Sequence, residues 1–94
     1  MSDIRNWKQE GPAIIYSSGS KEWRKHGQLH RDDGPAIESA SGDQYWYQHD
    51  RLHREDGPAI ILHNGFQEWF LNGKIINVSS QEEFERYMKL KAFW

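Results

Sequence analysis

A chain of 94 residues without cysteine reads as one small domain that folds without disulfides or thiolate metal sites. Twelve basic against fourteen acidic residues leave a net charge of −2, which argues against a phosphate-binding surface of clustered Lys and Arg. No stretch approaches the ~20 apolar residues of a membrane span and no signal-peptide core opens the chain, so the expectation is a cytoplasmic protein without a transmembrane segment.

Only 36% of the residues are hydrophobic, yet five are Trp, so a few large aromatic side chains must supply most of the apolar burial, roughly 150–250 Å² each. In chain order, Ile4–Glu10 reads as a partial unit that caps the N-terminus. Gly-Pro-Ala-Ile then begins at Gly11, Gly34 and Gly57, 23 residues apart both times. In the same register fall a glycine (Gly19, Gly42, Gly65), a tryptophan (Trp23, Trp46, Trp69) and an aliphatic residue (Leu29, Leu52, Ile75). The units run 11–33, 34–56 and 57–77, and a period of this length marks stacked supersecondary units.

Each unit reads as a β-hairpin. The runs 13–16, 36–39 and 59–62 follow a proline that cannot sit in a central strand. Ser18-Gly19, Ser41-Gly42 and Asn64-Gly65 are turn pairs, the last a strong signal for a two-residue loop. The return strands, 21–25, 44–48 and 67–71, carry the Trp. A second set of turn pairs follows at His26-Gly27, His49-Asp50 and Asn72-Gly73, where Gly and Asp share a slot suited to positive φ.

From Ser80 the pattern becomes helical. Ser80 and Glu83 have capping-box spacing, acids fall early and Lys89 and Lys91 late, and Phe84, Tyr87 and Met88 share one face. The sequence therefore predicts a mainly β domain, residues 1–94: an open antiparallel sheet of three stacked 23-residue hairpin repeats, closed by a C-terminal capping α-helix over 80–94. Its expected core is the Trp23, Trp46, Trp69 ladder with the Ile14, Ile37, Ile60 column packed nearby, together with Leu29 and Leu52.

Leu29-His30-Arg31-Asp32-Asp33-Gly34-Pro35-Ala36 and Leu52-His53-Arg54-Glu55-Asp56-Gly57-Pro58-Ala59 are similar to the variant MORN-like repeats common in bacterial and viral genomes. The resemblance covers about residues 4–77. It departs from the standard MORN unit, whose strand aromatic is usually Tyr and whose later turn is rich in Lys and Arg. It implies an interaction scaffold, with lipid binding proposed for some members, and no catalytic residues to carry over. The repeat variant and the small size together point to one version: a phage- or mobile-element-encoded inhibitor or adaptor acting on a host defence enzyme such as a CRISPR effector.

His30 and His53 beside Asp32, Asp33, Glu55 and Asp56 suggest metal or acid–base chemistry. The columns argue otherwise. The histidine slot reads Trp7, His30, His53, Ile76, and a slot that accepts Trp and Ile is a packing slot. The basic slot reads Lys8, Arg31, Arg54, Asn77 and the acidic slot Glu10, Asp33, Asp56, a pattern of ion pairs or hydrogen bonds between units. No phosphate loop, nucleophile elbow or zinc spacing is present, so the expectation is a non-enzyme with no cofactor and no metal.

Tyr45 and Tyr47 flank Trp46 in a strand and point opposite to it. With Phe70, and Arg24 in the first unit, they form the expected partner-binding set, because aromatic and Arg side chains dominate interface energetics. Either the helix from Ser80 covers this patch, or the patch meets another protein, a second copy included. A nucleic-acid or membrane-surface binder is the alternative, resting on Arg5, Lys8, Lys21, Arg24 and Lys25 with exposed aromatics; Glu10 and Glu22 among them make nucleic acid the weaker expectation.

Overall fold

A computed structural model describes Pro12 and residues 14–92 of the chain. The predicted partial unit at 4–10, with Arg5, Trp7, Lys8 and Glu10, lies outside the described residues, as do Gly11 and Ala13. The architecture is mainly β, with antiparallel strands and one C-terminal helix.

The strands are β1 (Ile14–Ile15), β2 (Lys21–Glu22), β3 (Arg24–Lys25), β4 (Gln28–Leu29), β5 (Ile37–Glu38), β6 (Gln44–Tyr45), β7 (Tyr47–Gln48), β8 (Arg51–Leu52), β9 (Ile60–Ile61), β10 (Gln67–Leu71) and β11 (Lys74–Ile76). The helix α1 spans Gln81–Lys91. One sheet has the order β1-β2-β5-β6-β9-β10-β11; β3-β4 and β7-β8 are short two-stranded ladders. Trp23 and Trp46 sit where a strand changes partner. The Trp46 N–H donates to the Ala59 carbonyl of one neighbour, and its own carbonyl accepts from His53 N–H on another; Trp23 does the same with Ala36 and His30.

Two kinds of turn set the register. At the first, the Gly19, Gly42 and Gly65 N–H groups donate to the carbonyls of Tyr16, Ser39 and Leu62, and the Tyr16, Ser39 and Leu62 N–H groups donate to Ser20, Asp43 and Phe66. With φ near +93° to +100° at the glycine, each is a three-residue loop with a left-handed last residue. The two-residue loop expected at Asn64-Gly65 is thus corrected. The second turns match the sequence reading. Both residues of His26-Gly27, His49-Asp50 and Asn72-Gly73 have positive φ between paired Lys25–Gln28, Gln48–Arg51 and Leu71–Lys74, the primed two-residue hairpin. Asp50 carries the left-handed conformation without being glycine, and its carboxylate accepts the Leu29 N–H at 2.7 Å.

Pairing places side chains. Residues directly opposite across an antiparallel pair share a face. Trp23, Ala36, Trp46, Ala59 and Trp69 therefore line one face, with His30, His53 and Ile76 beside them. Ala36 and Ala59 are fully buried between indoles, which explains why the repeat keeps Ala there.

Ile14, Ile37 and Ile60 do not pack on the Trp ladder. They pair with Glu22, Tyr45 and Glu68 and so lie on the opposite face, where Ile14 is exposed and Ile37 and Ile60 are half-buried. Leu29 and Leu52 pair with Arg24 and Tyr47, on that same opposite face, and both are half-buried.

The helix closes the Trp face at its C-terminal end. Phe84, wholly buried, packs with Trp69 and Leu71, and Ile76, Val78, Tyr87 and Met88 surround them. Ser80 caps α1 by accepting the Glu83 N–H. Glu83 returns its carboxylate to the Ser79 N–H at 2.8 Å and the Ser79 hydroxyl, a capping box shifted outward by one residue.

Candidate interaction surface

Each indole on the Trp face has a lid. The Arg31 guanidinium carbon lies 3.8 Å above the Trp23 ring and that of Arg54 4.0 Å above Trp46. The slot that would supply a third guanidinium holds Asn77. Trp69 is instead covered by Phe84 at 6.4 Å between centroids, and its Nε1–H donates to Gln81 Oε1 at 2.9 Å. The helix takes the place that the next arginine would fill.

These arginines are pinned. Arg31 Nε donates to Asp33, and its Nη1 to the Pro35 carbonyl and to Glu38; Arg54 donates to Asp56 and the Pro58 carbonyl. A Cβ on Gly34 would stand 3.0 Å from the Arg31 guanidinium carbon, and one on Gly57 2.8 Å from that of Arg54. Gly-Pro-Ala is thus the other half of the arginine lid: room for the guanidinium, a carbonyl to bind it, and a methyl that fits between indoles.

The histidines are tied into the same connector. His30 Nδ1 accepts the His49 N–H and His53 Nδ1 the Asn72 N–H. Each Nε2 therefore carries the hydrogen and donates to Asp32 or Glu55. The sequence expectation of a packing slot is met at buried His30, with a polar reason added: the ring accepts an N–H from the next turn. Among the described residues, no group of three or more His, Asp or Glu is arranged to hold a metal ion.

Between the connectors 31–35 and 53–56 lies a groove of about 680 Å³, floored by Trp46 and Gln48. Trp46 is only half-buried there, whereas Trp23 and Trp69 are 6% and 3% exposed. The helix closes over Trp69, whereas Trp46 borders the groove; nothing in the sequence of its unit sets Trp46 apart from Trp23.

The predicted partner-binding residues occupy the other face. Tyr45 stands in a row across the sheet, Ile14–Glu22–Ile37–Tyr45–Ile60–Glu68. Tyr47 pairs with Leu52 and Phe70 with Ile75. The Arg54 N–H donates to the Phe70 carbonyl, which sets β8 and its continuation beside β10. The structure thus gathers Tyr45, Tyr47 and Phe70 on one side with Ile37, Ile60, Leu29, Leu52 and exposed Ile75. Burial, reinforced by Tyr45 and Asp50, holds the Tyr47 phenol above its ordinary pKa. Arg24 is on the same face in the first unit, but its guanidinium is already bonded to Glu22 and to the Gly27 carbonyl. Because α1 packs on the Trp face, it does not cover the tyrosines, and no other described helix or sheet layer does so.

No family model, curated protein or solved structure matches the chain. No helix among the described residues is long and apolar enough to cross a membrane.

Proposed function

We propose that this protein is a non-catalytic protein-binding module whose docking surface is the sheet face carrying Tyr45, Tyr47 and Phe70. One observation carries the reading: the face that holds Tyr45, Tyr47, Phe70 and the Ile and Leu columns, with Glu22 and Glu68 among them, lies opposite the Trp ladder and is left open by the helix that closes the ladder. A cluster of aromatic and aliphatic side chains of this kind commonly marks an interaction site. The tying of His30, His53, Arg31 and Arg54 into connector bonds supports a scaffold role for the groups that otherwise suggest chemistry.

The likeness of the Leu-His-Arg-acid-Asp-Gly-Pro-Ala connectors to MORN-like repeats favours the same function, and with it an inhibitor or adaptor encoded by a phage or mobile element. The test compares wild type with Tyr47→Ala/Phe70→Ala, reading thermal stability and partner retention on the same protein.

A further inference from the structure

The tyrosine face carries a carboxylate that its own chain leaves without a donor. Glu22, Tyr45 and Glu68 fill the same slot in the three units and stand in one row across the sheet. Glu22 is met twice from within: the Tyr16 hydroxyl donates to one oxygen at 3.1 Å and Arg24 Nε to the other at 3.2 Å. In the third unit the slots of Tyr16 and Arg24 hold Leu62 and Phe70, so both donors are replaced by apolar side chains. Among the described residues, no hydrogen bond or ion pair reaches the Glu68 carboxylate.

Glu68 is not a freely hydrated surface acid. It is half-buried in β10, with Ile60 across the pair and Phe70 two residues on along the same face. A charged acceptor partly withdrawn from water among apolar groups is costly without a donor, and a charged donor from outside relieves that cost. The fold itself shows which donor suits an acid beside an aromatic ring. On the Trp face, Asp33 and Asp56 each bind an arginine whose guanidinium lies over an indole. A guanidinium is planar, bonds a carboxylate through a fork of N–H groups and stacks on a ring, whereas an ammonium is a compact, strongly hydrated point charge. The helix packs on the Trp face and leaves this position open.

We infer that the tyrosine face takes an arginine side chain of its partner protein, the guanidinium bonded to Glu68 and laid against Phe70. This rests on the docking surface proposed above and adds the charge that the partner must bring to it.

The experiment titrates acetyl-Leu-Arg-Leu-amide into the ¹⁵N-labelled protein, following the Glu68 and Phe70 backbone amide signals. Acetyl-Leu-Gln-Leu-amide and acetyl-Leu-Lys-Leu-amide serve as controls. The arginine peptide is expected to give saturable shifts at both signals. It should bind wild type at least ~10-fold more tightly than the glutamine peptide, about 1.4 kcal/mol, and more tightly than the lysine peptide. Glu68→Gln should abolish that preference and melt no lower than wild type, because it removes an acid that nothing in the fold pairs. Equal binding of the arginine and glutamine peptides to wild type, or a preference that survives in Glu68→Gln, overturns the inference while leaving the docking surface standing. Equally tight binding of the lysine peptide overturns the choice of a guanidinium. A saturable shift from none of the peptides overturns the inference and counts against the docking surface itself.

Discussion

The guanidinium of Arg54 lies over the Trp46 ring, 4.0 Å from its centre, and beside Gly57, where a Cβ would come within 2.8 Å of it. Stacking over an indole and bonding to Asp56 and the Pro58 carbonyl fix both the charge and the plane of the side chain, which only arginine provides. Gly57→Ala must push the guanidinium off the ring or out of its bonds. A loss of about 1–3 kcal/mol is expected, the usual range for overpacking. Urea midpoints check it, and Arg54→Lys should lose a comparable amount without any added volume. Unchanged midpoints for both would mean that the lid does not stabilise the repeat.

Trp69→Ala should cost more than Trp46→Ala. Trp69 is 3% exposed and is packed by Phe84 and bonded to Gln81, so its truncation falls in the ~3–5 kcal/mol range of large buried aromatics. Trp46 borders the open groove and is half-buried, so its loss should be smaller despite its central position. Thermal unfolding of the two variants gives the order directly.

How much of this was legible in the sequence depends on turn length. The 23-residue period, the Trp ladder, the paired positive-φ turns and the capped helix can all be read from the chain. The faces of the aliphatic columns cannot be read from periodicity alone. A two-residue loop at Asn64-Gly65 would put Ile60 across from Trp69; the observed three-residue loop moves the pairing by one, so Ile60 meets Glu68 and points to the other face. The Leu column was within reach, because a two-residue loop at His26-Gly27 sets Leu29 across from Arg24, not Trp23. The arginine lids were not, since the sequence shows a base and an acid two residues apart but not the indole beneath them.

Acid should loosen the helix cap. Hydrogen bonds from the Ser79 N–H and hydroxyl hold Glu83 below its ordinary value of 4.5. A carboxylate with a depressed folded pKa contributes stability that is fully present above its unfolded pKa and is lost as pH falls through the folded one. Below pH 4.5 wild type should therefore lose stability that Glu83→Gln, lacking the titrating group, does not lose. Parallel curves for the two proteins in denaturant titrations from pH 6 to pH 3 would contradict the cap.

His30→Phe keeps a flat ring but removes the acceptor for the His49 N–H and the donor to Asp32. Leaving a partly buried N–H unmet costs about 1–3 kcal/mol, and this loss should appear without any effect on zinc binding, because a stoichiometric zinc site is not expected in wild type. Calorimetric zinc titration checks the second half: a micromolar site abolished by His30→Ala would overturn the structural role given to the histidine.

The central claim is that the Tyr45, Tyr47 and Phe70 face binds a protein while the Trp face holds the fold. The most direct measurement uses wild type and Tyr47→Ala/Phe70→Ala as baits in the native host's lysate, with captured proteins quantified by mass spectrometry and the melting temperature of each bait recorded. The double variant should melt within a few degrees of wild type and retain the specific partner at least ~30-fold less well, since central aromatic anchors are worth ≥ ~2 kcal/mol of binding. Equal retention of the same partner by a variant that has lost its stability would show instead that this face is core and that binding lies elsewhere.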